Sequence, residues 1–160
     1  MNKWIIVAIL AVTTLGCVST KSIDIMTEEK IIGQKVIAIS GTRYAWVFEI
    51  EKRLRESGFK IKRMVSQHST IEQVTDKKTR VYDESSSRFV MIIDGYAPNN
   101  SFQRCFGGGF NFDFIDVELV DIEKNETVFH YSNSGYSEDC PPLSGTIFGD
   151  IVELTNSAWD

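Results

Sequence analysis

The fold is decided by the stretch KVIAISGTRYAWVFEIEKRLRESGFKIKRMV, which covers Lys35–Val65. Its first part, Lys35–Ser40, is a short apolar run with β-branched residues and predicts a buried strand. The middle part predicts a helix that ends at Gly58, because apolar side chains recur at helical spacing at Val47, Ile50 and Leu54. Phe59–Val65 predicts a second strand. The stretch therefore predicts a β-α-β unit, with parallel strands joined by a right-handed crossover.

The residues that follow extend this unit into a larger sheet. The run RFVMIIDGYA, Arg88–Ala97, is the most apolar one after the N-terminal segment and predicts a central strand. Asp94, near its end, is interpreted as part of a turn. Phe110–Ser134 predicts a long β-hairpin that turns near Glu123–Glu126. Its first strand changes the face of its apolar residues partway along, which predicts a β-bulge.

A last helix completes the predicted domain. Apolar residues recur at helical spacing after the Pro141-Pro142 pair, at Ile147, Ile151, Leu154 and Ala158. The polar stretch 66–87 predicts a loop with a short helix. The fold class is therefore α/β (α+β), a two-layer sandwich in which two main helices pack on a mixed sheet of about five strands. It forms a single domain over residues 35–160.

The chain begins MNKWIIVAILAVTTLGC, and this segment has the layout of a secretory signal. Lys3 precedes an apolar run, Trp4–Val12, which is too short to span a bilayer, since that takes about 20 residues. The ending Gly16-Cys17 resembles a bacterial lipoprotein signal, in which the cysteine receives acyl chains such as palmitate and becomes the mature N-terminus. Two alternatives are an ordinary cleaved signal with an incidental cysteine and an uncleaved N-terminal anchor.

The lipoprotein interpretation divides the chain and locates the protein. Residues 1–16 are then the signal peptide, and residues 17–34 are the lipidated Cys17 and a tether. In Gram-negative lipoproteins an aspartate after the cysteine resembles an inner-membrane retention signal, and Val18 stands there instead. The resemblance implies a lipid-anchored protein of the outer membrane that faces the periplasm.

Composition excludes some classes of partner. The 160 residues include 17 basic and 22 acidic ones, for a net charge of −5, so nothing indicates nucleic-acid binding. No basic stripe suited to a membrane surface is present either, and the lipid is expected to be the only membrane attachment.

Cys105 and Cys140 remain as a pair when Cys17 is acylated, and in an oxidising compartment a pair predicts a disulfide. Metal ligation is the alternative, but neither His68 nor His130 stands at a ligand spacing from the cysteines. The sequence therefore predicts neither a metal site nor a cofactor.

The stretch RCFGGGFNFDF, Arg104–Phe114, contains three consecutive glycines. A phosphate-binding loop would lead into a helix, whereas Gly107–Gly109 lead into a predicted strand and no Lys-Ser/Thr pair follows. The glycines are interpreted as a tight backbone path beside the disulfide that needs a positive φ angle. The alternative is a recognition loop in which Phe106 is exposed to a partner.

The disulfide would hold the Phe106 loop beside a polar loop that carries Tyr136. Two adjacent loops on a rigid scaffold, each with an aromatic residue, could form a binding rim, so Phe106 and Tyr136 are the candidate binding residues. The alternative is that the disulfide merely links the two loops and that they form no binding rim.

Acidic residues recur along one predicted strand, at Asp113, Asp116, Glu118 and Asp121. Asp116 and Glu118 share a face and could act in acid–base catalysis. Alternation of polar residues on a half-exposed strand explains them more simply. No Gly-x-Ser-x-Gly motif is present, neither histidine has a recognisable nucleophile partner, and no catalytic residue is predicted.

The order of these segments resembles a group of envelope proteins. The lipidated cysteine, the β-α-β unit, RFVMIIDGYA and then FIDVELVDIEKNETVFHYSNSG are similar to periplasmic lipoproteins related to the curli secretion lipoprotein and to outer-membrane activators of penicillin-binding proteins. The resemblance implies a hairpin on a mixed sheet. The chain lacks the long insertions of a secretion pore, so the shared layout implies neither pore formation nor synthase activation.

Three functional hypotheses follow. The leading one is a non-catalytic outer-membrane lipoprotein that acts as a binding or adaptor module for another envelope component, a protein or peptidoglycan. The second is a small-ligand or inhibitor-binding periplasmic module that uses Phe106 and Tyr136. The third is an envelope hydrolase that uses Asp116 and Glu118, which would require these carboxylates to face a cleft.

Overall fold

A computed structural model describes residues 20–63, 87–98 and 104–160. Cys17, His68 and most of the polar stretch 66–87 lie outside these residues. The described chain forms six strands and two helices. The strands are β1 Ser22–Ile25, β2 Val36–Ser40, β3 Lys60–Arg63, β4 Phe89–Tyr96, β5 Asn111–Asp121 and β6 Glu126–Tyr136, and the helices are α1 Ala45–Glu56 and α2 Ile147–Ala158.

The six strands form one mixed sheet in the order β1-β6-β5-β4-β2-β3. The β-α-β prediction is confirmed, because β2 and β3 are parallel and α1 connects them. β4 is parallel to β2 and antiparallel to β5, so it joins the two parts of the sheet as a central strand. The hairpin prediction is confirmed by the antiparallel pairing of β5 with β6.

The sixth strand, β1, corrects the prediction that residues 17–34 are a tether. Ser22–Ile25 pair antiparallel with β6 at the edge of the sheet, and Met26 donates its backbone N–H to the carbonyl of Val128 at 3.0 Å. Further along, Ile31 forms a β-bridge with Trp159. All four residues of β1 are exposed, so their side chains give little strand signal and the pairing depends on distant backbone groups.

The two helices contact each other and cover one face of the sheet, which gives the predicted two layers. Between the layers lies a single core, in which the ring of Trp46 on α1 meets Phe112 on β5 edge-on at 5.4 Å. Trp159, after α2, meets Phe59 and Phe89 at 5.1 Å. No helix of the described residues is long and apolar enough to cross a membrane.

The predicted change of face in the first hairpin strand is also present. The pairing of β5 with β6 shifts between Phe112 and Ile115, so Asp113 and Phe114 both oppose Ser134. Phe112 and Ile115 are consequently both buried. They are three positions apart, so a regular alternation would have placed them on opposite faces of the sheet. The bulge turns Phe114 away from the core.

Candidate binding face and the disulfide end of the sheet

The predicted disulfide is present and joins the loop before β5 to the loop after β6. The Cα atoms of Cys105 and Cys140 lie 4.8 Å apart. Buried Ser137 also links the two loops, because its hydroxyl accepts the backbone N–H of Phe110 at 2.9 Å. We call this part of the molecule the disulfide end: the loops 104–110 and 137–146 together with residues 41–44, which follow β2 at the same end of the sheet.

The three glycines of the first loop have the geometric role predicted for them. Gly108 has a φ angle of +90°, which L-residues rarely adopt. A Cβ atom on Gly109 would lie 2.1 Å from the carbonyl oxygen of Glu138 and 2.6 Å from the Sγ atom of Cys140. The loop therefore passes too close to the disulfide for a side chain at this position.

The second loop is held against the start of α2 by Glu138. Its carboxylate accepts the backbone N–H groups of Phe148 at 3.2 Å and of Gly149 at 2.6 Å. Arg53 on α1 lies 3.4 Å from the same carboxylate. A negative charge at a helix N-terminus satisfies free donors and interacts favourably with the helix dipole. The N-cap residue of α2, Thr146, makes no capping hydrogen bond with its side chain, and Glu138 caps the helix instead.

Phe106 and Tyr136, the two candidate binding residues, lie near one end of the molecule but on different surfaces. Phe106 is fully exposed at the tip of the loop that contains the disulfide. Tyr136 is the last residue of β6 and pairs with Asn111. The alternation along β6 directs it to the sheet face opposite the helices, and 37% of its surface is exposed.

We call this second face of the sheet, within β4, β5, β6 and β1, the open face. No helix of the described residues packs on it. The cross-strand register brings aromatic and acidic side chains together there: Tyr96 lies opposite Phe114, and Asp94 lies opposite Asp116. The exposed fraction is 54% for Tyr96, 41% for Phe114 and 43% for nearby Ile92.

His130 lies among the carboxylates of the open face. Its Nε2 atom is 3.7 Å from Asp116, and its Nδ1 atom is 3.9 Å from Asp24 on the edge strand. Glu118 accepts a hydrogen bond from the hydroxyl of Thr127. These side chains are half-buried or exposed on a strand face. The hydrolase hypothesis requires Asp116 and Glu118 to face a cleft, and this arrangement does not provide one.

Asp121 differs from the solvent-facing role expected for the acidic residues of this strand. It is buried on the helix side of the sheet, where Arg88 donates to its two carboxylate oxygens at 2.6 and 3.0 Å. The hydrogen bond from Arg88 is the main reason that the pKa of the Asp121 carboxyl is lowered from its usual value. The carboxylate also accepts the N–H of Glu123 and so helps to hold the hairpin turn.

Sequence reasoning missed two residues of the open face and misassigned a third. Asp94 is an exposed strand residue, so its interpretation as part of a turn is wrong. Tyr96 lies in the predicted central strand, but its place on an exposed face was not predicted. Phe114 alternates with two core phenylalanines, and only the bulge reveals that it faces outwards. The change of phase in the sequence was the one signal that could have found it.

One of the pockets formed by the described residues lies at the other end of the sheet. It has a volume of about 240 Å³ and is lined by the segment after β1 and the end of α2, including Val128, Phe129, Leu154 and Ala158. Neither Phe106 nor Tyr136 contributes to it. Among the described residues, no group of three or more histidine, cysteine or acidic side chains is arranged to hold a metal ion.

Comparisons with known proteins find little. No family model and no curated protein matches the chain. Two solved structures of the PelC dodecamer from Paraburkholderia phytofirmans, one of them a point variant, are similar over 87% of this chain and 97% and 99% of theirs. The identities are 10% and 14%, and the TM-scores are 0.44 and 0.45. A likeness at this level supports no argument about function or assembly.

Proposed function

We propose that the protein is a non-catalytic lipoprotein of the outer membrane, on its periplasmic side, that binds another envelope component through the open face. The observation that carries the proposal is the pairing of Tyr96 with Phe114 beside Asp94 and Asp116. Apolar rings that stay exposed on a sheet, next to charged groups, are typical of interaction surfaces.

The charges of this face indicate the chemistry of the partner. Four carboxylates belong to it, at Asp24, Asp94, Asp116 and Glu118, and His130 lies among them. The whole chain is also acidic, with a net charge of −5. Complementary potentials favour a partner that presents lysine, arginine or amino groups around an apolar patch. A basic protein surface fits this description. Peptidoglycan with free amino groups also fits it.

The absence of catalysis is proposed from the positions of the candidate groups. Asp116 and Glu118 lie on a strand face that is open to solvent, where water would weaken the interactions that catalysis requires. The groups that the structure places against His130 are two carboxylates, Asp116 at 3.7 Å and Asp24 at 3.9 Å.

Attachment to the membrane is proposed from the sequence, since Cys17 lies outside the described residues. Acylation of Cys17 would fix the domain to the bilayer, because several acyl chains anchor stably where one does not. The described chain starts at Thr20, so the acylated residue would be three positions from the folded domain.

One localisation experiment and two binding experiments test the proposal. Separation of inner and outer membranes should place the wild-type protein in the outer membrane, whereas Cys17→Ser, which removes the acylated thiol, should be missing from that fraction. Native electrophoresis of the detergent-extracted envelope and sedimentation with purified peptidoglycan should then show binding by the wild type. The double variant Asp94→Asn/Asp116→Asn should lose that binding while its unfolding midpoint stays unchanged. Equal binding by both proteins would refute the role of the open face.

A further inference from the structure

The first described residues leave the domain at the disulfide end. The hydroxyl of Thr20 lies 3.1 Å from that of Ser134, close to the end of β6. Lys21 forms an ion pair with Asp150 in the first turn of α2, at 2.8 Å. One contact holds the chain to β6 and the other holds it to α2. Together they define where the described chain starts on the surface of the domain.

The distance from this point to the proposed lipid is short. A polypeptide spans at most about 3.3–3.6 Å per residue, so the Cα atom of Cys17 can lie no more than about 11 Å from that of Thr20. With Cys17 acylated, the bilayer surface must therefore pass close to the corner of the domain formed by the start of β1 and the end of β6.

The exposed aromatic side chains are concentrated at the same end. Among the described residues these are Tyr44, Phe48, Tyr96, Phe106, Phe114 and Tyr136. Tyr44 and Phe48 lie between the carboxyl end of β2 and the first turns of α1, and Tyr96 ends β4. Phe106 and Phe114 lie before and near the start of β5, and Tyr136 ends β6. The opposite end, about 25 Å away along the eight residues of β4, exposes aliphatic side chains such as Ile32 and Ile122. Aromatic residues are enriched where proteins meet the membrane–water interface.

The two disulfide-linked loops lie at this end and carry two of its exposed apolar side chains. Phe106 is fully exposed, and Leu143 on the second loop is 60% exposed. The disulfide, the Ser137 hydroxyl and the backbone hydrogen bond from Gly109 to Asp139 hold the two loops together, and Glu138 holds the second loop to α2. Both loops are therefore fixed on the folded domain. Arg43 and Arg104 accompany them, with their guanidinium groups over the rings of Phe48 and Phe110 at 5.4 and 4.5 Å. Such side chains can keep a charge at the level of the lipid headgroups.

From these observations we propose that the disulfide end is a membrane-contacting surface, in which Phe106 and Leu143 enter the headgroup region of a phospholipid bilayer. The proposal rests on the lipid anchor of the proposed function. It replaces the expectation that the lipid is the only membrane attachment. It also assigns Phe106 to the bilayer and leaves Tyr136, on the open face, to the partner. The sheet then stands upright on the membrane, and the open face is presented sideways.

The experiment places a tryptophan at three exposed positions of the mature lipoprotein. Phe106→Trp reports on the disulfide end, and Ile32→Trp is the matched control at the opposite end. Ile25→Trp reports on the edge strand β1, which could lie on the membrane if the domain were tilted onto its side. Each protein is reconstituted into phosphatidylethanolamine/phosphatidylglycerol vesicles with and without brominated phospholipid. Quenching is compared with that of the parent protein, whose Trp46 and Trp159 are buried.

The proposal predicts strong quenching at position 106 and none above the parent at position 32. Quenching at position 106 no greater than at position 32, or quenching greatest at position 25, would overturn it. Mass spectrometry of the same samples separates the two proposals. If Cys17 carries no acyl chains, the anchor itself fails and this assignment fails with it. If Cys17 is acylated and position 106 is not quenched, only the membrane-contacting surface is refuted.

Discussion

The hydroxyl groups of Thr20 and Ser134 lie 3.1 Å apart, which brings the start of the described chain beside the last residues of β6. This contact links three features that are far apart in the sequence. The proposed acylation site is three residues upstream of Thr20, Cys140 of the disulfide is a few residues downstream of Ser134, and Ser134 itself belongs to β6, one of the strands of the open face. The position of the proposed anchor therefore determines which surfaces face the membrane and which face the periplasm.

The disulfide is expected to contribute substantially to stability. Cys105 and Cys140 are separated by 35 positions, and closing a loop of this size stabilises a fold by roughly 3–4 kcal/mol on the chain-entropy model. The double variant Cys105→Ala/Cys140→Ala should lower the free energy of unfolding by about that amount in urea titrations. Mass spectrometry of the unreduced mature protein should find no free thiol. Two free thiols would refute the disulfide.

The glycines beside the disulfide should differ in their tolerance of a side chain. In Gly108→Ala the new Cβ meets no atom within 4 Å, and the cost arises from the φ angle of +90°, about 1–2 kcal/mol. Gly109→Ala should cost more, because its Cβ would overlap the carbonyl of Glu138 and the sulfur of Cys140. Thermal unfolding of the two variants makes the comparison. Equal stability of the two variants would contradict the close approach of Gly109 to Glu138 and Cys140.

Glu138 should stabilise the protein through the start of α2. Glu138→Ala removes the acceptor for two backbone N–H groups and a partner of Arg53, so the free energy of unfolding should fall by about 2 kcal/mol. The control is Glu153→Ala, an exposed position on the same helix, which should change stability by less than about 0.5 kcal/mol. A similar effect of both variants would contradict the capping role.

The pair formed by Asp121 and Arg88 should make stability depend on pH in the acidic range. The pKa of Asp121 is lowered in the folded protein, chiefly by the hydrogen bond from Arg88. The stabilisation is thus complete above the unfolded value of about 3.9 and is lost as the pH falls through the folded pKa. Asp121→Asn should destabilise the protein at pH 7, and its difference from the wild type should shrink towards pH 3. Urea titrations at several pH values measure this difference, and a constant difference would contradict the prediction.

Local periodicity accounts for most of the fold that the sequence predicts. The β-α-β unit, the central strand and the hairpin each carry an apolar pattern of their own, and the even pair of cysteines predicts the disulfide. β1 could not be predicted in this way, because its four exposed residues are held by backbone bonds to a strand about 100 positions away. A tertiary pairing of this kind leaves almost no trace in a local pattern.

The candidate site was less predictable than the fold. Phe106 and Tyr136 stand out in the sequence because a disulfide was expected near them. Asp94 and Tyr96 acquire meaning only through the register of β4 against β5, which places them opposite Asp116 and Phe114. A register of one residue more or less would have turned these side chains into the core, so only the tertiary structure identifies the open face.

The most direct test of the account is photo-crosslinking in living cells from the open face. A photoreactive amino acid is placed at Tyr96, which is 54% exposed, and in a second strain at Glu153, an exposed position on α2 across the sheet. The account predicts one dominant adduct from position 96, with an envelope protein or with peptidoglycan, and no such adduct from position 153. No adduct at position 96, or the same adducts from both positions, would contradict the proposed binding function of the open face.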